Sequence, residues 1–159
     1  MGSEVVFARE PYSLGLVNEM LPLWAEHWKE IASETFGPLE PNLEFYETLD
    51  KYGVLRIYTV RNEGKLIGYQ IFNVAMSPMS KNMLTSNSSL IYITPDERKG
   101  LLAKRFLDFC TNQLSIDGVQ VVYMSISADH KLKSLLERSG FRHVDQIYCK
   151  KLSEVKNNG

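Results

Sequence analysis

The stretch Leu90-Ile91-Tyr92-Ile93-Thr94-Pro95-Asp96-Glu97-Arg98-Lys99-Gly100-Leu101-Leu102-Ala103-Lys104-Arg105 constrains this chain more than any other. A short apolar run stops at a proline, a turn of Arg, Lys and Gly follows, and an amphipathic helix starts at once. That is a strand, a phosphate-sized turn and a helix start in one unbroken segment. The first backbone N–H groups of a helix have no acceptor within it and lie at the positive end of its dipole, which suits an anion. Arg98, Lys99, Lys104 and Arg105 add side-chain charge around the same turn. Two readings stand side by side: a site for a phosphorylated ligand beside a strand end, or a solvated basic turn.

The flanking sequence supplies the layers such a segment needs. Val5-Val6-Phe7-Ala8 reads as a first strand. From about residue 14 to 31, Leu16, Val17, Met20, Leu23, Trp24, His27 with Trp28, and Ile31 recur at helical spacing. Pro22 inside that run predicts a kink or two helical pieces. Phe36-Gly37-Pro38-Leu39-Glu40-Pro41 is a breaker-rich loop, after which Asn42 can cap a helix carrying Phe45, Tyr46 and Leu49 and ending before Gly53. The period then changes to two. Val54-Leu55-Arg56-Ile57-Tyr58-Thr59-Val60, the turn Asn62-Glu63-Gly64-Lys65 and Leu66-Ile67-Gly68-Tyr69-Gln70-Ile71-Phe72-Asn73-Val74 form the strongest hairpin signal in the chain. Residues 76–86 read as a polar loop of flap length. After the strand 90–94 and a helix from about 100 to 114, residues 119–126 give a buried strand. Asp129 can cap a helix running to Glu137 that Gly140 ends, and residues 141–150 alternate as a last strand.

The expected order is β-α-α-β-β-β-α-β-α-β: an antiparallel meander leading into a strand–helix–strand crossover. This is an α/β (α+β) fold with a mixed sheet and helices on both faces. The basic turn then lies at the carboxyl end of a strand, where open α/β sheets place ligands. One domain spans residues 1–152, with a polar tail over 153–159.

Composition narrows the function classes. The chain has 159 residues, 23% of them charged, with a net charge of -1. Nothing global therefore points to nucleic acid or an anionic membrane. The cluster at 98–105 is local, and no aromatic residues interleave it as a nucleic-acid binder would require. No apolar run reaches the ~20 residues that span a bilayer, and no leader is visible. Cys110 and Cys149 are too few for a disulfide framework. Cys110 falls on the apolar face of the helix with Ala103, Phe106, Leu107 and Leu114, as a buried thiol would, and a reducing cytoplasm is the expected setting. No two histidines or cysteines have metal-ligand spacing, so no metal is expected.

At this point the chain resembles the GNAT superfamily of N-acetyltransferases, from Val5 to Leu152. Three features carry the resemblance: the long helical region before a Gly-turn hairpin, the strand–Pro–Arg–helix segment, and Leu135-Leu136-Glu137-Arg138-Ser139-Gly140-Phe141, which is similar to the family's aromatic-Glu-Lys-Leu-Gly-Phe helix end. The phrases Glu26-His27-Trp28-Lys29-Glu30 and Gly118-Val119-Gln120-Val121-Val122 are similar to small members encoded by tailed phages. The family's loop reads Arg/Gln-x-x-Gly-x-Gly/Ala. Arg98 and Ala103 match its ends, Leu101 stands at the middle glycine, and Gly100 is one position early.

The resemblance implies acetyl-CoA as cofactor and an amine acceptor: a protein lysine, a peptide N-terminus or a small molecule. It implies that the main chain of Arg98, Lys99, Gly100, Leu101, Leu102 and Ala103 lines the pyrophosphate and that Lys99, Lys104 or Arg105 reaches a phosphate. Tyr92 and Ile93 would run beside the pantetheine arm, with His130 near the cofactor end. It admits a homodimer paired through sheet edges. The family's usual catalytic groups are not in place: the strand entrance Asn87-Ser88-Ser89 has no carboxylate, and Leu136 stands where a tyrosine is common. The substitutes are His27 as general base, with Glu26 or Glu30 to orient it or hold a cationic acceptor, and Tyr148 as the acid that protonates the departing thiolate. Glu26, Glu30 and Glu34 would make an acidic groove for a cationic acceptor. A second hypothesis is a catalytically silent protein of this fold that binds a partner protein through its groove or through residues 76–86.

Overall fold

The computed structural model describes residues 4–31, 37–127 and 132–154. Strand β1 (Val5–Arg9) leads to helices α1 (Leu14–Ile31) and α2 (Leu43–Lys51). Strands β2 (Leu55–Asn62), β3 (Lys65–Ser77) and β4 (Ser80–Ile93) follow, then a 3-10 turn at Pro95–Glu97, α3 (Leu102–Ile116), β5 (Val121–Met124) and α4 (Lys133–Arg138). The five strands among the described residues form one sheet in chain order, antiparallel from β1 to β4 and parallel between β4 and β5. The mixed α/β sheet expected from the sequence is therefore present, with α3 as the crossover that the parallel pair requires.

Strand alternation sends side chains to two cores, one on each face. Tyr58, Val60, Ile67, Phe72 and Ile93 meet Phe106, Cys110 and Leu114 of α3. Leu55, Ile57, Tyr69, Ile71 and Tyr92 meet Leu16, Met20 and Trp24 of α1. Burial pushes the Cys110 thiol well above its ordinary range, in keeping with a packing role. The β2–β3 turn has positive φ at both Glu63 and Gly64, the backbone that a two-residue hairpin prefers. Asn42 caps α2 by accepting from the Phe45 N–H at 3.1 Å.

Three expectations are corrected. Helix α1 runs through Pro22 as one element, so of the two outcomes expected there the chain does not take the two helical pieces. Pro22 and Asn18 are both exposed, so water can take the carbonyl that the proline leaves without a donor, while the buried stripe from Leu16 to His27 holds the helix on the sheet. Residues 76–86 are not a flap. They extend β3 and β4 into a longer hairpin that turns at Ser77-Pro78-Met79-Ser80, with Ala75 opposite Thr85. The polar composition of this hairpin reflects its exposed end. Residues 141–150 form no strand, so Tyr148 does not sit on one. Alternation marks a segment that suits a sheet, but a ladder also needs a neighbouring edge, and this segment runs along none among the described residues.

Arg61 ties β2 to the rest of the α1 face. Its guanidinium donates to Glu10 at 3.0 Å and to Glu19 of α1 at 2.6 Å, and the Thr59 hydroxyl donates to Glu10 as well. Burial pulls the Glu10 carboxyl upward, but hydrogen bonds from Arg61 and Thr59 outweigh it, so the group titrates below the ordinary range. The Arg61 hydrogen bond does the same for Glu19. Both folded pKa values lie below the unfolded ones. The stability the carboxylates contribute is thus present above the unfolded pKa and lost as pH falls through the folded values. An Arg61→Met variant should melt below the parent chain at pH 7 and converge with it as pH drops below about 4. A melting difference constant from pH 7 to pH 3 would contradict this.

Gly68 is a second point of constraint. A Cβ there would meet the Tyr92 carbonyl oxygen at 2.6 Å and Val60 Cγ1 at 2.8 Å. Gly68→Ala should cost about 1–3 kcal/mol in denaturant unfolding, because backbone must move to admit it.

Candidate active site

The site begins with an irregularity in β4. Ile71 faces Leu90 and Asn73 faces Asn87, so Ser88 and Ser89 together oppose the single residue Phe72. This is a β-bulge, which bends its strand and locally interrupts regular pairing. Strand β5 pairs with β4 only over Thr85–Ser88, opposite Val121–Met124, and the Ser125 N–H donating to the Ser88 carbonyl at 2.8 Å is the last link. Beyond it the two strands part. The Thr94 N–H donates to the Ile67 carbonyl at 2.8 Å, so the antiparallel alternation turns the backbone of Tyr92 toward β3. The N–H groups of Ile91 and Ile93 then point to the open side. Of the two residues expected to border a ligand through their main chain, Ile93 is therefore placed to do so and Tyr92 is engaged with the sheet.

The strand runs into the turn. Arg98 N–H donates to the Pro95 carbonyl and Lys99 N–H to the Glu97 carbonyl, so these two amides are already committed. Leu102 N–H donates to the Lys99 carbonyl at 3.4 Å, and α3 proper begins with Arg105 N–H to the Leu101 carbonyl. Among the described residues, the amides of Gly100, Leu101, Ala103 and Lys104 donate to no carbonyl. The N-cap residue, Leu101, has no side-chain acceptor to offer them. Leu101 is 62% exposed. Gly100 has φ +57, a conformation that a glycine adopts without strain.

The basic side chains are largely occupied. Arg98 donates to both oxygens of Glu30 at 2.8 and 3.0 Å and, through Nε, to the Ile93 carbonyl at 2.6 Å. Its guanidinium lies 5.2 Å from the Tyr92 ring centre. Lys104 pairs with Asp108 at 2.7 Å, and Arg105 lies over Phe7 at 5.8 Å. At 39% and 29% side-chain exposure, the Arg98–Glu30 pair is worth about 1 kcal/mol or less. Its effect is positional: it fastens the turn to the end of α1.

The three residues read as catalytic are not brought together. His27 is 4% exposed, with Nδ1 2.8 Å from the Tyr69 hydroxyl and its ring stacked on Tyr92 at 5.0 Å. Burial, with the nearby Tyr92, Tyr46 and Glu30 adding, holds the Tyr69 phenol far above its ordinary range. Glu26 points to solvent and pairs with Lys29 at 2.8 Å. Tyr148 is 87% exposed and donates to Gln146. His130 and Glu34 lie outside the described residues. The acidic groove is not formed by Glu26 and Glu30, since each is paired with a base.

What the strands enclose instead is a cleft of about 240 Å³ lined by Phe45, Tyr46, Ile71, Asn73, Asn87, Ser88, Leu90 and Ser125. It sits between α2 and the point where β4 and β5 part. Asn73 Oδ1 is buried on its wall with no hydrogen-bond partner. A carbonyl oxygen left this way wants a donor from outside. The sequence carried one sign of this position: Asn73 is a lone amide in an otherwise apolar strand end. The bulge and the part played by Phe45 and Tyr46 had no sequence signal.

No family model matches the sequence, and no curated protein sequence does. Solved structures do resemble the fold. A ribosomal-protein-alanine N-acetyltransferase from Brucella melitensis biovar Abortus 2308 is 18% identical, covering 95% of this chain and 99% of its own, with a TM-score of 0.75. An aminoglycoside acetyltransferase from an uncultured soil metagenomic sample is 11% identical over 96% and 97% of the two chains, with a TM-score of 0.72. A predicted acetyltransferase from Clostridium acetobutylicum, solved with acetyl-CoA, is 13% identical over 94% and 97%, with a TM-score of 0.64. The narrower likeness to phage-encoded members finds no support in these structures. At such identities the likeness concerns architecture: this chain has the mixed α/β fold of the GNAT acetyltransferases.

Proposed function

We propose that this protein is an N-acetyltransferase that takes acetyl-CoA as donor and passes the acetyl group to an amine by direct attack on the thioester. The observation that carries the reading is a coincidence at the parted end of β4 and β5. Open amides follow on β4 where β5 has left it, the uncapped α3 start comes after β4 through one short turn, and a cleft with an unpartnered amide oxygen lies beside the parting.

Bound acetyl-CoA would supply the activated acetyl group. The amides of Gly100, Leu101, Ala103 and Lys104 are the donors that fit its diphosphate, with the α3 dipole behind them and Lys99 adding charge. Leu102 anchors that helix start in the core under α3. The N–H groups of Ile91 and Ile93 are the donors available to the acyl carbonyl. Asn73 Oδ1 accepts an N–H from the amine, and Phe45 and Tyr46 shield it from one side. Among the described residues the cleft holds no carboxylate, histidine or lysine. The acceptor's proton is therefore left to solvent, and the amine reacts in its neutral form. A cleft of this size takes the amine end of a small molecule or a side chain. The free thiols Cys110 and Cys149 fit a reducing compartment such as the cytoplasm.

The burial of His27 and the exposure of Tyr148 favour a second reading, a catalytically silent binder that keeps the cofactor site. Measurements of binding and of turnover separate the two.

Leu101→Asp tests the cofactor site without weakening the fold. A carboxylate at the N-cap would itself accept from the first-turn amides, adding about 1 kcal/mol to stability. It should raise the melting temperature while reducing acetyl-CoA affinity tenfold or more by calorimetric titration. Unchanged affinity would remove the α3 start from the site. For turnover, the rate with a saturating amine acceptor should climb with pH toward that amine's own pKa, with no plateau near the ~6.5 of an ordinary histidine. A plateau there that disappears in His27→Gln would return the proton to His27. Acetyl-CoA binding without transfer to any amine would favour the silent binder.

A further inference from the structure

The floor and wall of the cleft beside α2 narrow the kind of amine it can take, an inference that rests on the proposed transfer reaction for giving this cleft to the acceptor. The floor is built from a register pair. Asn73 of β3 stands directly opposite Asn87 of β4, so both side chains rise from one face of the sheet, and both line the cleft. Asn73 Oδ1 is buried without a partner, and Asn87 is exposed. Two carboxamides offer donors and acceptors but no net charge. Ser88 and Ser125 add only neutral groups beside them.

The wall is aromatic. Tyr46 stacks on Trp24 with ring centres 5.7 Å apart, and Phe45 meets Tyr46 edge-on at 5.8 Å. Phe45 lines the cleft and is still 50% exposed, which leaves apolar ring surface for an occupant. Tyr123 adds a second ring. Val122 and Met124 pack on the core under α3, so Tyr123 between them points to the opposite face, beside its register neighbour Asn87, and is 41% exposed. The carboxylates of α2, Glu44, Glu47 and Asp50, are exposed outside the cleft lining, and Glu47 faces Lys51. Among the described residues, the lining thus has nothing of opposite charge to replace the water of a charged group on the acceptor's body. Seating such a group costs far more than seating an uncharged ring. We propose that the acceptor is a monoamine on an uncharged, ring-sized body. The amine donates to Asn73 Oδ1, the ring lies against Phe45, and Asn87 beside Tyr123 selects against a second charge. Amines that also carry an ammonium, a carboxylate or a phosphate are poor acceptors for this cleft.

Phenethylamine and its para-carboxylate and para-guanidinium derivatives share one ring and one aminoethyl arm and differ in the distal charge. With acetyl-CoA, phenethylamine should be acetylated with a kcat/KM about tenfold or more above either derivative. Asn87→Asp puts a carboxylate of the same shape at an exposed position, so the fold should hold. It should cut the preference over the guanidinium derivative about tenfold and widen the preference over the carboxylate. Equal rates for the three amines, a preference of the parent chain for either charged one, or a preference unmoved by Asn87→Asp would each overturn the proposal. Binding without acetyl-CoA separates this selection from the transfer reading. The side-chain amide resonances of Asn73 and Asn87 should shift with phenethylamine alone and stay in place with the two derivatives. Those shifts in a protein that transfers no acetyl group would overturn the transfer reading and uphold the selection. Transfer to the charged amines as fast as to phenethylamine would uphold the transfer reading and overturn the selection.

Discussion

Four residues of β5 pair with β4, and then the strands part at a bulge formed by Ser88 and Ser89. A central strand that loses one neighbour has to leave backbone N–H and carbonyl groups on that side, and burying them without partners would be costly. Here they border an opening. The bulge therefore fixes where β4 is accessible, and through the short turn it also fixes where α3 begins. The cleft against α2 lies beside the same parting: Asn87 and Ser88, the last β4 residues paired with β5, line it together with Ser125, whose N–H makes the last link.

A second set of contacts holds this opening in shape. Arg98 reaches back from the turn to Glu30 at the end of α1 and to the Ile93 carbonyl, while His27 bonds Tyr69 and stacks on Tyr92. Each contact is modest alone. Together they bind helix, strand end and turn into one block, so the amides at the start of α3 keep a constant position relative to β4. A buried histidine and a bidentate arginine in this place act as struts. The same side chains, read from sequence alone, look like chemistry because strut and catalyst draw on the same residue types.

The fold was largely legible because its signals were local. The Glu63-Gly64 turn, the Asn42 cap, the helical stripe from Leu16 to Ile31 and the Pro95 stop each act within a few residues, and each appears in the structure. The site was legible only at the turn. Which amides of 98–104 are committed depends on a 3-10 turn that composition does not specify. The bulge in β4, and the approach of Phe45 and Tyr46 to Asn73, join residues far apart in the chain. The reading of Glu26 and His27 as one catalytic pair did not take account of helical phase. Glu26 falls on the solvent side next to Lys29, while His27 falls on the stripe buried against Tyr69 and Tyr92. The last strand foundered on pairing, which an alternating sequence invites but does not by itself supply.

The central claim is that the parted end of β4 and the start of α3 together form the cofactor site. Amide chemical shifts of the ¹⁵N-labelled protein, followed during titration with acetyl-CoA, test it residue by residue. The account predicts the largest changes at Gly100, Leu101, Ala103 and Lys104, with Ile91 and Ile93 moving in step. Arg98 and Lys99, already hydrogen-bonded within the turn, should change less. Changes confined to another surface, or none at saturating acetyl-CoA, would contradict it.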